Sequence, residues 1–253
     1  YFPLDRVMEG LFSITQSLYG ITYKEVTAVD DASRPLWHPD VRLYQVWDDA
    51  SGERLGDFYL DLHPRLDKYG HAAQWGLAQH KRWSDGRVTR PVAALVCNFT
   101  KPTDEKPSLL THDEVTTLFH EFGHGLHGLL TQIRYSTFSG VDGPRDYTEF
   151  PAQILEHWAG APEVLSTYAN HYETGEPIPL ELIDKMNAAA TFNQGFKTTE
   201  FIAASLLDLR WHMLTSEEAA EITDARAFEQ QVLEADGLIP EIEPRYRSQY
   251  FSH

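Results

Sequence analysis

The sequence predicts an α+β fold in which helix predominates: a small N-terminal β-sheet, then a long helix and a helical body. Three observations predict it. Residues 21–62 carry strand-like runs separated by turns, residues 91–99 form a nearly continuous apolar run, and from Thr111 onward apolar residues recur every three or four positions. With 253 residues, 42% hydrophobic and 12% aromatic, the chain is long enough to bury a core and too apolar to be disordered.

The first helix is read over residues 3–20, where Leu4, Val7, Met8, Leu11, Phe12 and Leu18 keep helical spacing and Gly20 supplies a stop. Strands are read over 21–29, 41–47 and 55–62, with the turn formers Asp48-Asp49-Ala50-Ser51-Gly52 between the last two. The run over 91–99 reads as a strand covered on both faces, and 101–107 as a loop. Helices are expected over 113–130, 147–159, 162–172, 180–190, 198–214 and 225–235, and an irregular tail over 239–252. No internal repeat or linker-like shift divides the chain. It reads as one continuous portion, 1–253, sheet-bearing through 106 and helical from 107.

Composition removes several function classes. Lys and Arg number 21 against 38 Asp and Glu, a net charge of −17, which disfavours nucleic acid and anionic membrane surfaces as partners. The one cysteine, Cys97, forms neither an internal disulfide nor a cysteine-based zinc site. No apolar stretch reaches about 18 residues, so no membrane-spanning helix is expected. The N-terminus lacks a secretory pattern and begins at Tyr1 rather than Met, which reads as a piece or a processed form.

The chemistry is concentrated between Thr111 and His124. Thr111 and Glu114 make a capping-box pattern that starts a helix. Val115, Leu118, Phe119, Phe122, Leu126, Leu129 and Leu130 then share one face, and His120, His124 and His127 fall roughly opposite. That second face is not an ordinary wet one, because no Lys or Arg occurs between Pro107 and Ile133. His120-Glu121-x-x-His124 is the HExxH pattern: one helical turn separates the imidazoles, so both reach one ion, and Glu121 stands beside the first to take a proton from water. The competing reading is a chance match on a helix with two surface histidines. Catalytic zinc needs a third protein ligand. Glu149, 29 residues after His120, is the preferred candidate, although Asp146-x-x-Glu149 also resembles a helix cap. Glu156, two turns on, is the rival ligand and is preferred as a carboxylate orienting a histidine ring. His127, one turn beyond His124, is read as packing or as supporting the ligands, not as a ligand itself.

These residues resemble a known family. His120-Glu121-Phe122-Gly123-His124 followed by Arg145-Asp146-Tyr147-Thr148-Glu149-Phe150-Pro151-Ala152-Gln153 is similar to the thimet oligopeptidase family of zinc metallopeptidases. Lys68-Tyr69-Gly70-His71-Ala72-Ala73, Asn98-Phe99-Thr100-Lys101-Pro102, Ser108-Leu109-Leu110 and His112-Asp113-Glu114-Val115 follow it in order. Tyr246-Arg247-Ser248-x-Tyr250-Phe251-x-His253 resembles its oligopeptidase A and bacterial peptidyl-dipeptidase branch. The resemblance implies a zincin-like catalytic portion with one zinc per chain on His120, His124 and Glu149, and Glu121 as the base. It implies short peptides as substrates, cut internally or two residues from the C-terminus, and a cytoplasmic setting. It suggests substrate contacts at His71 and His253. It also implies a longer parent whose tyrosine-rich segment, beyond the position of His253, stabilises the oxyanion, so the piece alone is expected to bind zinc and cleave poorly. Two alternatives stand beside this reading, a zinc-binding but inactive scaffold and a metalloaminopeptidase.

Overall fold

Apolar spacing over the first residues makes helix α1 (Leu4–Tyr19), which buries Leu4, Val7, Met8 and Leu11. It ends at Gly20, whose φ of +63° is a left-handed turn that glycine adopts at little cost. The computed structural model describes residues 1–27 and 35–251, so His253 and the end of the strand expected over 21–29 lie outside the described residues. Two compact units divide the chain, one running to Ile178 and the other starting at Pro179.

In the first unit, β1 (Ile21–Glu25), β2 (Arg42–Asp48) and β3 (Arg54–Asp61) form an antiparallel meander. The chain then makes β4 (Ala73–Ala78), a two-stranded ribbon of β5 (Lys81–Arg82) and β6 (Val88–Thr89), and β7 (Val92–Val96). β7 slots between β3, to which it is parallel, and β4, to which it is antiparallel, giving the order β1-β2-β3-β7-β4. β7 is the buried strand its apolar run demands, and β4 is an edge whose Trp75 and Leu77 are exposed. No strand was expected over 73–82. Those residues lack alternation, and partly exposed edge strands carry little of the apolar signal by which strands are read.

Helix α2 (His112–Leu129) begins at a complete capping box, with the Thr111 hydroxyl accepting from the Glu114 amide and the Glu114 carboxylate accepting from the Thr111 amide. Val115, Leu118, Phe119, Phe122 and Leu126 are buried, with the Phe122 ring 5.4 Å from Phe58 on β3. Each such side chain contributes about 1.5–3 kcal/mol when fully buried. This packing fixes α2 against the sheet.

The helix expected over 147–159 is two helices, α3 (Arg145–Thr148) and α4 (Phe150–Gly160). Pro151 explains the break: it has no N–H for the carbonyl of Tyr147, and its ring crowds that carbonyl. Next, α5 (Pro162–Tyr168) stops four residues earlier than expected. The second unit holds α6 (Leu180–Ala190), α7 (Gln194–His212), α8 (Ser216–Glu221) and α9 (Ala225–Ala235). α8 has no apolar face to announce it and starts at a capping box between Thr215 and Glu218. The tail is seated by Glu229, 2% exposed, which accepts from Arg247 at 2.6 Å and from the Ser248 amide and hydroxyl at 2.9 Å each.

Candidate metal centre

α2 sets the geometry. His120 and His124, one turn apart, stand with ring centroids 4.8 Å apart and Nε2 atoms 3.2 Å apart. Glu149, at the junction of α3 and α4, brings its Oε2 to 3.3 Å from the His120 Nε2 and 3.4 Å from the His124 Nε2. The Glu149 side chain makes no helix-capping hydrogen bond, so its carboxylate faces the imidazoles. Glu149 keeps right-handed helical dihedrals (φ −79°, ψ −18°) and stands at the interruption between α3 and α4 that Pro151 imposes.

Close backbone approach brings that junction to α2. A Cβ placed on Gly123 would lie 2.6 Å from the Cα of Ala152 and 2.7 Å from the Pro151 carbonyl, so only glycine lets α4 lie this near. Gly140, in the connection after α2, has φ +58° and would bring a Cβ to 2.9 Å from the Gly128 Cα.

A tetrahedral ion held at about 2.0–2.1 Å from each ligand requires ligand atoms about 3.3–3.4 Å apart. The three separations here match that requirement, and two imidazole nitrogens with one carboxylate oxygen suit zinc. His120 Nδ1 donates to Glu156 Oε1 at 2.6 Å, which fixes the proton on Nδ1 and leaves Nε2 free to coordinate. Burial lowers the pKa of His124 against the opposing pull of Glu149, favouring the neutral ring a metal needs. His124 Nδ1 is buried with no hydrogen-bond partner among the described residues.

Glu121 is 7% exposed, near enough to His120 and Glu149 to feel their charges, and it meets the backbone of Gln74 on β4. Burial raises its pKa, and the nearby charge of Glu149 adds to the rise. His120 and a hydrogen bond from the Gln74 amide only partly oppose them. The Gln74 contact was not anticipated, since β4 itself was not.

Among the described residues the metal-ligating group is His120, His124 and Glu149, and neither His127 nor His71 belongs to it. His127 lies with its ring centroid 6.1 Å from that of Tyr147, and its Nδ1 is buried without a partner among the described residues. His71 is exposed, with its ring 5.7 Å from Tyr69, and its carbonyl accepts from Asn98 Nδ2 at 3.4 Å. The Cys97 thiol is buried, and burial pushes its pKa up to about 12, so it is unreactive.

The family model of peptidase family M3 matches residues 1–253. The chain belongs to peptidase family M3. It is 45% identical over 255 residues to a dipeptidyl carboxypeptidase of Salmonella typhimurium, covering 100% of this chain and 36% of that protein. An oligopeptidase A of the same organism is 46% identical over 213 residues, with 84% of this chain and 30% of the relative covered. A thimet-like oligopeptidase of Dictyostelium discoideum is 42% identical over 215 residues, covering 84% of this chain and 31% of that protein. The M3 chain thus spans about a third of the length of these relatives. Among its described residues no helix is long and apolar enough to cross a membrane.

Proposed function

We propose that this M3 chain carries the catalytic centre of a zinc-dependent peptidase acting on short oligopeptides, as a metalloendopeptidase or a peptidyl-dipeptidase. The observation that carries the proposal is the ligand triangle of His120, His124 and Glu149, with edges of 3.2, 3.3 and 3.4 Å, beside the buried carboxylate of Glu121, to which no Lys or Arg is bonded among the described residues. The relatives named dipeptidyl carboxypeptidase and oligopeptidase A support the reaction class.

In this reading His120 and His124 hold zinc through Nε2 and Glu149 through Oε2, while Glu156 keeps the His120 ring in its coordinating tautomer. Zinc, when bound, supplies Lewis acidity that polarises the scissile carbonyl and acidifies water. Glu121 accepts the proton of the attacking water on its carboxylate and delivers it to the leaving amine. Its raised pKa brings its proton affinity nearer to that of the groups it serves. The unpaired edge of β4, next to Glu121, offers backbone donors and acceptors to an extended peptide.

The test measures bound metal and cleavage together. One zinc per chain is expected, lost on His120→Ala, His124→Ala or Glu149→Ala. Retention in Glu149→Ala with loss in Glu156→Ala would overturn the ligand assignment. An internally quenched peptide with an acylated N-terminus should be cut, and the cutting should stop on adding a chelator. Cleavage of free but not acylated peptides would point to an aminopeptidase. Stoichiometric zinc with no cleavage by the full-length protein would favour the inactive scaffold.

A further inference from the structure

Beyond the C-terminal end of α2 lies a cavity of about 650 Å³ between the β5–β6 ribbon and the segment that follows α2. It is lined by Lys81, Arg82 and Arg134, with Gln132 and the rings of Trp83 and Tyr135, and among the described residues no carboxylate lines it. This is unexpected in a chain of net charge −17. Most cations of the first unit are committed to carboxylates, for example Arg42 to Glu25, Arg65 to Asp61 and Arg90 to Glu53. Lys81, Arg82 and Arg134 form no ion pair among the described residues. Asp85, the nearest acid in the ribbon, is held by Arg87 at 2.7 Å. Two of the three cations rest on aromatic faces: Lys81 Nζ is 3.7 Å from the Trp83 ring centroid, and the Arg134 guanidinium carbon 5.6 Å from that of Tyr135. Such backing holds the charges in place around the cavity.

Its place in the fold suggests the ligand. β4 leads directly into β5, so the exposed edge beside Glu121 runs toward this cavity. From Gln74 to Lys81 an extended chain covers on the order of 20 Å, or about six residues. We propose that the cavity is a subsite for acidic side chains of oligopeptide substrates, engaging a carboxylate about six residues from the scissile bond. The identity of the ligand rests on the peptidase reading above. The charge recognition rests on the three unpaired cations alone. Several exposed cations facing one carboxylate group act additively at modest strength, so selectivity and salt sensitivity are the properties to measure.

The experiment uses two fluorescein-labelled decapeptides that differ only in carrying two Glu or two Gln near one end. Binding is followed by anisotropy in the zinc-loaded, full-length protein with Glu121→Gln, where peptide is held without being cut. The Glu peptide should bind about five- to tenfold more tightly at low ionic strength, with the preference fading at high salt. Lys81→Ala with Arg134→Ala, both at exposed positions, should abolish the preference and leave the Gln peptide unchanged. Equal binding of the two peptides, or a preference that survives the double substitution, would overturn the proposal. So would inorganic phosphate alone binding as tightly as the Glu peptide, which would make this a small-anion site. If the unsubstituted protein cut neither peptide while the charge-dependent binding persisted, the peptidase reading would fail and the acidic-peptide site would stand.

Discussion

Asp61 and Glu121 are both carboxylates buried in the first unit, at 2% and 7% exposure, and their surroundings are opposite. Burial alone would raise the pKa of Asp61. Arg65 at 2.7 and 2.8 Å, Trp37 Nε1 at 2.8 Å and Lys68 at 2.9 Å outweigh it and hold the pKa at about 2. Glu121 receives the Gln74 amide and the neighbourhood of His120, and burial prevails, so its pKa rises. One carboxylate is locked in its charged form as a fastening. The other is left with a proton affinity that can change hands. Burial by itself does not mark a reactive group; burial without matching donors does.

Substituting the proposed base should give the largest effect. Glu121→Gln keeps the shape and removes the proton acceptor, so peptide cleavage by the full-length protein should fall by about 10²–10⁴ with zinc content unchanged. Cleavage at the unsubstituted rate would show that Glu121 carries no proton in the reaction.

The fastening side should answer in stability. The Lys68 side chain is 4% exposed, and its Nζ donates to the carbonyls of Asp61 at 2.8 Å, His63 at 2.7 Å and Cys97 at 2.5 Å besides pairing with Asp61. It ties the segment between β3 and β4 to the ends of β3 and β7. Lys68→Met leaves those acceptors and part of the Asp61 charge uncompensated, and should lower unfolding free energy by about 3–5 kcal/mol in a urea titration. A loss below about 1 kcal/mol would mean that Arg65 and water suffice.

The contrast also explains what was legible in the sequence. α2 could be read residue by residue, because a capping box, a buried apolar face and an i,i+4 histidine pair are all local signals. The approach of Glu149 was only half legible. Pro151 forecasts a break, but how far the chain swings back depends on the Gly123–Ala152 contact, which is tertiary. β4 was missed because an edge strand buries too little to impose alternation, and with it went the Gln74 amide that meets Glu121. Lys68 stood in a recognisable block, yet nothing in its spacing says that its ammonium group is buried among three carbonyls.

A titration sharpens the comparison at intermediate size. The Asp61 pKa of about 2 lies below its unfolded value near 4, so its stabilisation is fully present above about pH 4 and is lost as pH falls from there through 2. The amount is about 2 kcal/mol. Urea unfolding of the chelator-treated protein between those pH values should show a steeper fall than the same measurement on Asp61→Asn, chelation removing any contribution from metal-ligand protonation. Parallel curves for the two proteins would mean that the charged form of Asp61 is not favoured by folding.

Glu156 stands between the two extremes, and it should give the smallest effect. Its carboxylate accepts one strong hydrogen bond, from His120 Nδ1 at 2.6 Å, and its side chain is 34% exposed. It is neither fastened by cations like Asp61 nor buried like Glu121. Removing such a partner of a metal-bound histidine costs about 10–100-fold in metal affinity, and partial exposure lets water replace much of the bond, so Glu156→Ala should lose about tenfold. Glu156→Gln keeps an acceptor for the Nδ1 proton without the charge and should lose less. If Gln and Ala weakened zinc equally, the charge of Glu156 would be acting on the ion directly, and the role assigned to its hydrogen bond with His120 would be wrong.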